Sequence, residues 1–372
     1  MRLTRWFAAL FIIFVFGAIE IRAGGPRPAV GPAAEDAQQF AALGDFQLRS
    51  GAVIHDFRLG YRTLGKLNAE KSNAILWPTW LGGRTEDLLG FIGPGKMVDS
   101  GKYFVIVVDS IGNGVSTSPS NSERQPLLNF PEFTIRDMVE SERRLVTEVF
   151  HLPHLRAVMG ISMGGMQTFE WAVAYPDFMD LAIPLAGSPQ STSFDKLLWT
   201  SEIEAIELDP VWNNGRPTGP LTLGFAVSEE IQSMHLYSAP YRATHTGPVE
   251  FPEFLAELKK NAKGDGGTAW NQIRQRQAII AHDIPAEFGV TLEQATQRVS
   301  AKMLMMNSPY DLMVNPIPAQ EFARAMGAAL VTVDSTCGHV SFLCMSVGPI
   351  VAQFLSDPTS VHSTTLQDPV NH

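Results

Sequence analysis

Cysteine is the scarcest chemistry in this chain. Cys337 and Cys344 are the only two cysteines among 372 residues, which excludes a disulfide framework and any thiolate-rich metal site. The two flank a histidine. Two buried free thiols are the expectation there, with a disulfide as the alternative in an oxidising compartment. Charge is also sparse: 18% of residues are charged, and 28 Lys and Arg stand against 38 Asp and Glu. A net charge of −10 with no basic cluster excludes a nucleic-acid partner, whose phosphates call for a positive face. Long apolar runs are missing but for one, Trp6 to Ile19. That run is shorter than the ~20 residues a spanning helix needs, and Glu20 and Arg22 cut it off. With Arg2 and Arg5 before it and Ile21-Arg22-Ala23 after it, it reads as a cleaved signal peptide over residues 1–23. The mature protein is then expected in the periplasm or outside the cell, with no stable membrane span after processing. No cysteine follows the cleavage site, so no lipid anchor is expected. Internal repeats are absent.

The most informative stretch is Val158-Met159-Gly160-Ile161-Ser162-Met163-Gly164-Gly165-Met166. The apolar run Leu155 to Ile161 predicts a short buried strand, and Met166 to Tyr175 an amphipathic helix closed by Pro176. Between them lies a G-x-S-x-G pattern, the nucleophile elbow of α/β-hydrolases. A strand-to-helix turn this tight leaves no room for side chains two residues either side of the serine. The serine itself is expected strained and exposed above the sheet, with free N–H groups of the helix N-terminus beside it.

The rest of the chain is organised around that turn. Residues 24–44, rich in Gly, Pro and Ala, predict a linker. Phe46 to Leu48 and Val53 to Thr63 predict a hairpin of edge strands, and Asn73 to Trp77 and Tyr103 to Val108 predict buried strands. Thr134 is placed to N-cap a helix reaching about Val149. A strand at Asp180 to Ala186 precedes a stretch with no strand signal, 190–299, broken by prolines and expected as a helical lid. Strands resume at Lys302 to Met306 and Ala329 to Val333, with helices from Pro318 to Met326 and after Ser341. Strands alternating with helices predict an α/β fold with a mostly parallel, doubly wound sheet. The expected divisions are a first core segment at 45–189, the lid at 190–299, a second core segment at 300–355 and a flexible tail at 356–372.

A serine hydroxyl needs a base to attack, and the base needs an orienting acid. In α/β-hydrolases these follow in the order Ser, Asp or Glu, His. Asp311 sits in the loop after the Lys302–Met306 strand and His339 in the loop after the Ala329–Val333 strand, where Gly338 gives the backbone freedom to turn. Asp334, at the end of the histidine's own strand, is the competing acid. For the oxyanion, Met163 supplies one main-chain donor, and Leu81 or Trp80, in the loop after the Asn73–Trp77 strand, the other. Three look-alikes carry nothing: Gly90-x4-Gly95-Lys96 lacks the Ser or Thr of a phosphate loop, Gly112-x-Gly114 lacks the third glycine of a dinucleotide site, and His151-x-x-His154 has no further metal ligands nearby.

The segments Asn73 to Leu76, Gly93-Pro94-Gly95-Lys96, Phe133 to Met138, Gly160 to Trp171 and Asp209-Pro210-Val211-Trp212-Asn213 resemble the homoserine O-acetyltransferase family, over about residues 45 to 355. The resemblance implies an α/β-hydrolase fold with a helical lid, the set Ser162, Asp311 and His339, and oxyanion donors at Leu81 and Met163. Two departures bear on substrate. The lid arginine and the aspartate after the catalytic histidine, which in the family grip an amino-acid zwitterion, correspond here to Ile203 and Val340. The reading is therefore an exported serine hydrolase of an ester or related acyl substrate, needing no cofactor or metal. The runner-up is an acyltransferase with an acceptor other than homoserine, and a third reading is a catalytically silent binding protein. The partner expected is a small acyl compound, and the sequence leaves room for a homodimer.

Overall fold

The computed structural model describes residues 36–368, so the expected signal peptide of 1–23 and most of the expected linker of 24–44 lie outside the described residues. One sheet of nine strands carries the fold, in the order β1-β2-β4-β3-β5-β6-β7-β8-β9. β1 (Gln39–Gln47) and β2 (Val53–Leu64) form an antiparallel hairpin, and β2 joins β4 (Phe104–Val108) antiparallel. Every pairing from there on is parallel, through β3 (Ala74–Pro78), β5 (Leu155–Ile161), β6 (Met179–Leu185), β7 (Lys302–Asn307), β8 (Ala329–Asp334) and β9 (Thr364–Gln367).

Helices cover both faces, which is why the central strands are apolar almost without interruption. Successive side chains of a strand point to opposite faces. Thus Leu76, Ile106 and Val158 join one core with Phe169 and Trp171, whereas Ile75, Val105 and Ala157 join another with Val351 and Phe354. The helices of the first half are α1 (Thr85–Leu88), α2 (Ile135–Arg144) and α3 (Met163–Ala174). Between β6 and β7 come seven helices: α4 (Ser193–Glu207), α5 (Leu223–Leu236), α6 (Ala239–His245), α7 (Phe251–Asn261), α8 (Gly266–Ile280), α9 (Ile284–Phe288) and α10 (Leu292–Thr296). After β7 follow α11 (Ile317–Met326), α12 (Ser341–Cys344) and α13 (Gly348–Ser356). α4, α5 and α8 share a small core of their own that includes Ile203, Ile206, Phe225 and Trp270. We refer to this inserted helical segment as the lid.

Several boundaries differ from the sequence expectations, each for a physical reason. The expected linker is ordered from Gln39, because Ala41 and Leu43 alternate inward and β1 pairs with β2. β2 is not an edge strand, since β4 occupies its other side. α2 ends at Arg144 and passes into one π-helical turn, Leu145–Val149. α3 starts at Met163, directly after the serine. The expected flexible tail returns to the sheet as β9, parallel to β8 from Thr364 to Gln367; its main-chain ladder needs no apolar side chains.

Candidate active site

Ser162 joins β5 to α3 with φ +58° and ψ −121°, a left-handed conformation that is strained for a residue with a Cβ. Contact geometry explains the two glycines. A Cβ on Gly160 would run into the main-chain carbonyl of Gly164, and one on Gly164 would lie 2.6 Å from the carbonyl oxygen of Pro78. The first turn of α3 is therefore packed against the end of β3. Ser162 is not exposed as expected. It is 9% accessible.

The structure brings Ser162, His339 and Asp311 into one line, although they come from three separate loops. His339 Nε2 lies 2.8 Å from Ser162 Oγ, and His339 Nδ1 lies 2.8 Å from Asp311 Oδ2. The other oxygen of Asp311 accepts from the main-chain N–H groups of Met313 and Val314, each at 2.9 Å. A carboxylate fixed at both oxygens can fix the ring it faces. His339 is hydrogen-bonded to Asp311 and not to Asp334, whose main-chain oxygen accepts from Asp368 N–H beside β9.

His339 stands in a 3-10 turn, Gly338–Val340, on a loop held from two sides. Cys337 and Cys344 form a disulfide, where free thiols were expected. The compact turn that continues into α12 brings their Cα atoms to 6.5 Å, within bridging reach. From the lid, Ser238 Oγ donates to Thr336 O at 2.5 Å. Gly338 adopts φ +65° with Leu236 O and Ser238 N each 3.0 Å from where its Cβ would be.

The loop after β3 is also tied down. Thr79 N–H donates to Val108 O, Gln167 Nε2 of α3 donates to Thr79 O at 3.2 Å, and Asn113 Nδ2 donates to Gly83 O at 2.9 Å. Gly82 N–H donates to Gln275 Oε1 of α8 at 2.8 Å. Among the described residues, neither Leu81 nor Met163 gives its main-chain N–H to a protein acceptor. Gln167, Ser238 and Gln275 were not singled out from the sequence. Gln167 follows the elbow and was available to inspection, but Ser238 and Gln275 reach the site from the lid and carry no local signal.

Of the two departures, Ile203 packs into the lid's own core and Val340 is half-buried next to His339. The neighbouring lid residue Glu202 is buried against Arg276, whose Nε donates to Glu202 Oε2 at 2.7 Å. Burial pushes the Glu202 carboxyl up, and the guanidinium pulls it back down. His282 of the lid is buried and bonded to Ser188 O, and desolvation lowers its pKa to about 4. Among the described residues no group of three or more His, Cys, Asp or Glu could hold a metal ion.

The chain matches the alpha/beta hydrolase fold family over residues 83–343. It is 32% identical over 324 residues to a probable esterase of Corynebacterium glutamicum, covering 82% of this chain and 90% of that protein. It is 37% identical over 349 residues to the homoserine O-acetyltransferase of Geotalea daltonii, covering 84% and 95%. Among solved structures, the acetyl esterase MekB superposes with a TM-score of 0.79 at 28% identity, covering 87% of this chain and 98% of that one.

Proposed function

We propose, from the premise that this chain belongs to the alpha/beta hydrolase fold family and to its homoserine O-acetyltransferase-like branch, that it is an exported serine esterase working through an acyl-enzyme. Its relatives make it an enzyme of acyl esters. The observation that carries the finer reading is the unbroken hydrogen-bonded line from Ser162 Oγ through His339 to Asp311.

Ser162 Oγ attacks the ester carbonyl carbon while its proton passes to His339 Nε2. Asp311 keeps the other ring nitrogen protonated and stabilises the imidazolium that forms. The carbonyl oxygen, now negative, takes the N–H groups of Met163 and Leu81, both free of protein acceptors. His339 returns the proton to the departing alcohol oxygen, which leaves the acyl group on Ser162. Water repeats the sequence with His339 as base, releasing the acid and restoring the serine. Export is supported by the N-terminal run and by the Cys337–Cys344 disulfide, a bond that persists in oxidising compartments.

Active-site labelling with a fluorophosphonate, followed by peptide mapping, tests the reading. Ser162 should carry the adduct, and Ser162→Ala should neither label nor hydrolyse 4-nitrophenyl acetate. A second reading, transfer of the acyl group to an acceptor other than homoserine, draws on the acetyltransferase relative. Product analysis with a panel of alcohol acceptors separates the two: an ester product that outpaces free acid would favour transfer.

A further inference from the structure

Gln275 is a buried lid residue that neither the motif nor the mechanism above uses, and its side chain reaches the loop carrying the Leu81 donor. It lies in α8, 1% accessible, 193 residues along the chain from Gly82. Its Oε1 accepts from Gly82 N–H at 2.8 Å, and its Nε2 donates to Ile111 O at 2.9 Å. A carboxamide accepts and donates at once, so this single group staples the loop after β3 to the loop after β4. The approach depends on Gly112, whose φ is +85° and whose Cβ, if present, would lie 3.2 Å from Gln275 Cγ and 2.7 Å from Phe133 Cζ. The register of α8 is set next door, where Arg274 Nε donates to Phe130 O at 3.0 Å.

We propose that Gln275 is a positioning residue for the oxyanion hole: by holding Gly82 N–H it fixes the Leu81–Gly82 peptide, and with it the Leu81 Cα from which Leu81 N–H is aimed at the oxyanion, so that docking of the lid completes the hole. Of the loop's other anchors, Gly83 N–H on Trp80 O at 3.0 Å holds the Trp80–Leu81 peptide that carries Leu81 N–H, whereas those at Thr79 and at Gly83 O lie outside both peptides. A donor misaligned by loss of its neighbour's anchor loses transition-state stabilisation without leaving the site. This inference rests on Leu81 being the second donor.

The test compares Gln275→Met, Gln275→Glu and Leu81→Pro with the wild type, each counted by fluorophosphonate titration of active serines. Two quantities are read per active site: kcat/KM for 4-nitrophenyl acetate, and the inhibition constant of a trifluoromethyl ketone, whose adduct with the serine carries an oxyanion. Removing an oxyanion donor outright costs about 10²–10³-fold, so Gln275→Met is expected to lose roughly 10- to 100-fold in kcat/KM and to weaken the ketone by the same factor. Gln275→Glu keeps the acceptor for Gly82 but sets a carboxylate oxygen against Ile111 O, and is expected to lose activity and ketone affinity in the same ratio. A merely structural role would reduce the yield of titratable serine or the melting temperature and leave both per-site quantities unchanged; that result overturns the proposal. So would a fall in kcat/KM without weaker ketone binding. If Gln275→Met does not fold, Gln275→Glu is judged by the same two criteria. Leu81→Pro removes the N–H itself: full activity in that variant would sink the Leu81 assignment, whereas a large loss there with none in the Gln275 variants would sink this inference alone.

Discussion

Ser238 of the lid donates its hydroxyl to the main-chain oxygen of Thr336, 2.5 Å away and close before His339 in the chain. Ser238 N–H reaches the same oxygen at 3.3 Å. The lid is thus docked on the loop that presents the base, and Gly338 lies where an added Cβ would meet the lid's Leu236 O and Ser238 N.

Gly338→Ala should disturb both the fold and the site. A Cβ in the left-handed region costs roughly 1–2 kcal/mol, and here it would also press on Leu236 O and Ser238 N. Thermal unfolding should shift down and kcat should fall as His339 is displaced. Wild-type values of both would show that this contact is slack.

Reduction of the Cys337–Cys344 disulfide should loosen the same loop. A short closed loop of this kind is worth on the order of 2–3 kcal/mol by chain entropy. Thiol titration should find no free thiols in the native protein. Under a strong reductant two should appear, and esterase activity should drop. The double variant Cys337→Ser with Cys344→Ser should reproduce the loss, and full activity in it would show that the bridge does not support the base.

Asp311→Asn should leave the protein folded and lower kcat by about 10⁴, because the amide favours the wrong histidine tautomer. Asp334→Asn should leave the rate nearly unchanged, since His339 Nδ1 is bonded to Asp311 instead. The opposite ranking of the two rates would reassign the acid.

Glu142 is buried, accepts from Trp171 Nε1 at 2.6 Å, and has its pKa raised by desolvation from 4.5 to about 8. Between pH 4.5 and 8 the folded state therefore keeps a proton that an unfolded glutamate has already released. In that window the native state binds more protons than the unfolded state, so stability falls as pH rises and levels off above about 8. Glu142→Gln should remove much of this slope in denaturant titrations from pH 5 to about 9. A slope identical to wild type would mean that other groups set it.

Acetyl-CoA with homoserine should give no O-acetylhomoserine. Holding a zwitterion requires a partner for each charge, and burying either ion unpaired costs several kcal/mol. Ile203 is packed in the lid core, Val340 is apolar, and Arg276 is already committed to Glu202. Arg136, another candidate carboxylate partner, is bound by Glu140 and Glu170. Uncharged short acyl esters should be hydrolysed well, and acetylation of homoserine faster than that hydrolysis would refute the argument.

The features legible in the sequence are those encoded within one strand, turn or helix. β5 runs from Leu155 to Ile161 as its apolar run predicts, because burial on both faces leaves its residues no alternative. The left-handed serine follows from its tight turn, where a Cβ on Gly160 would meet Gly164, although the glycine at 164 is also required by the packing of Pro78 against it. Loop positions after β7 and β8 singled out Asp311 and His339, which the structure places at hydrogen-bond distance. What only the tertiary structure decided lies between elements. The burial of Ser162 and the return of residues 364–367 as β9 depend on how separate segments pack. The reach of Gln275 to Gly82 and of Ser238 to Thr336 depends on the angle at which the lid meets the sheet edge. Hydrophobic period and turn chemistry act over about ten residues or fewer, whereas these contacts join positions about 100 to 190 residues apart, where no local pattern announces the partner.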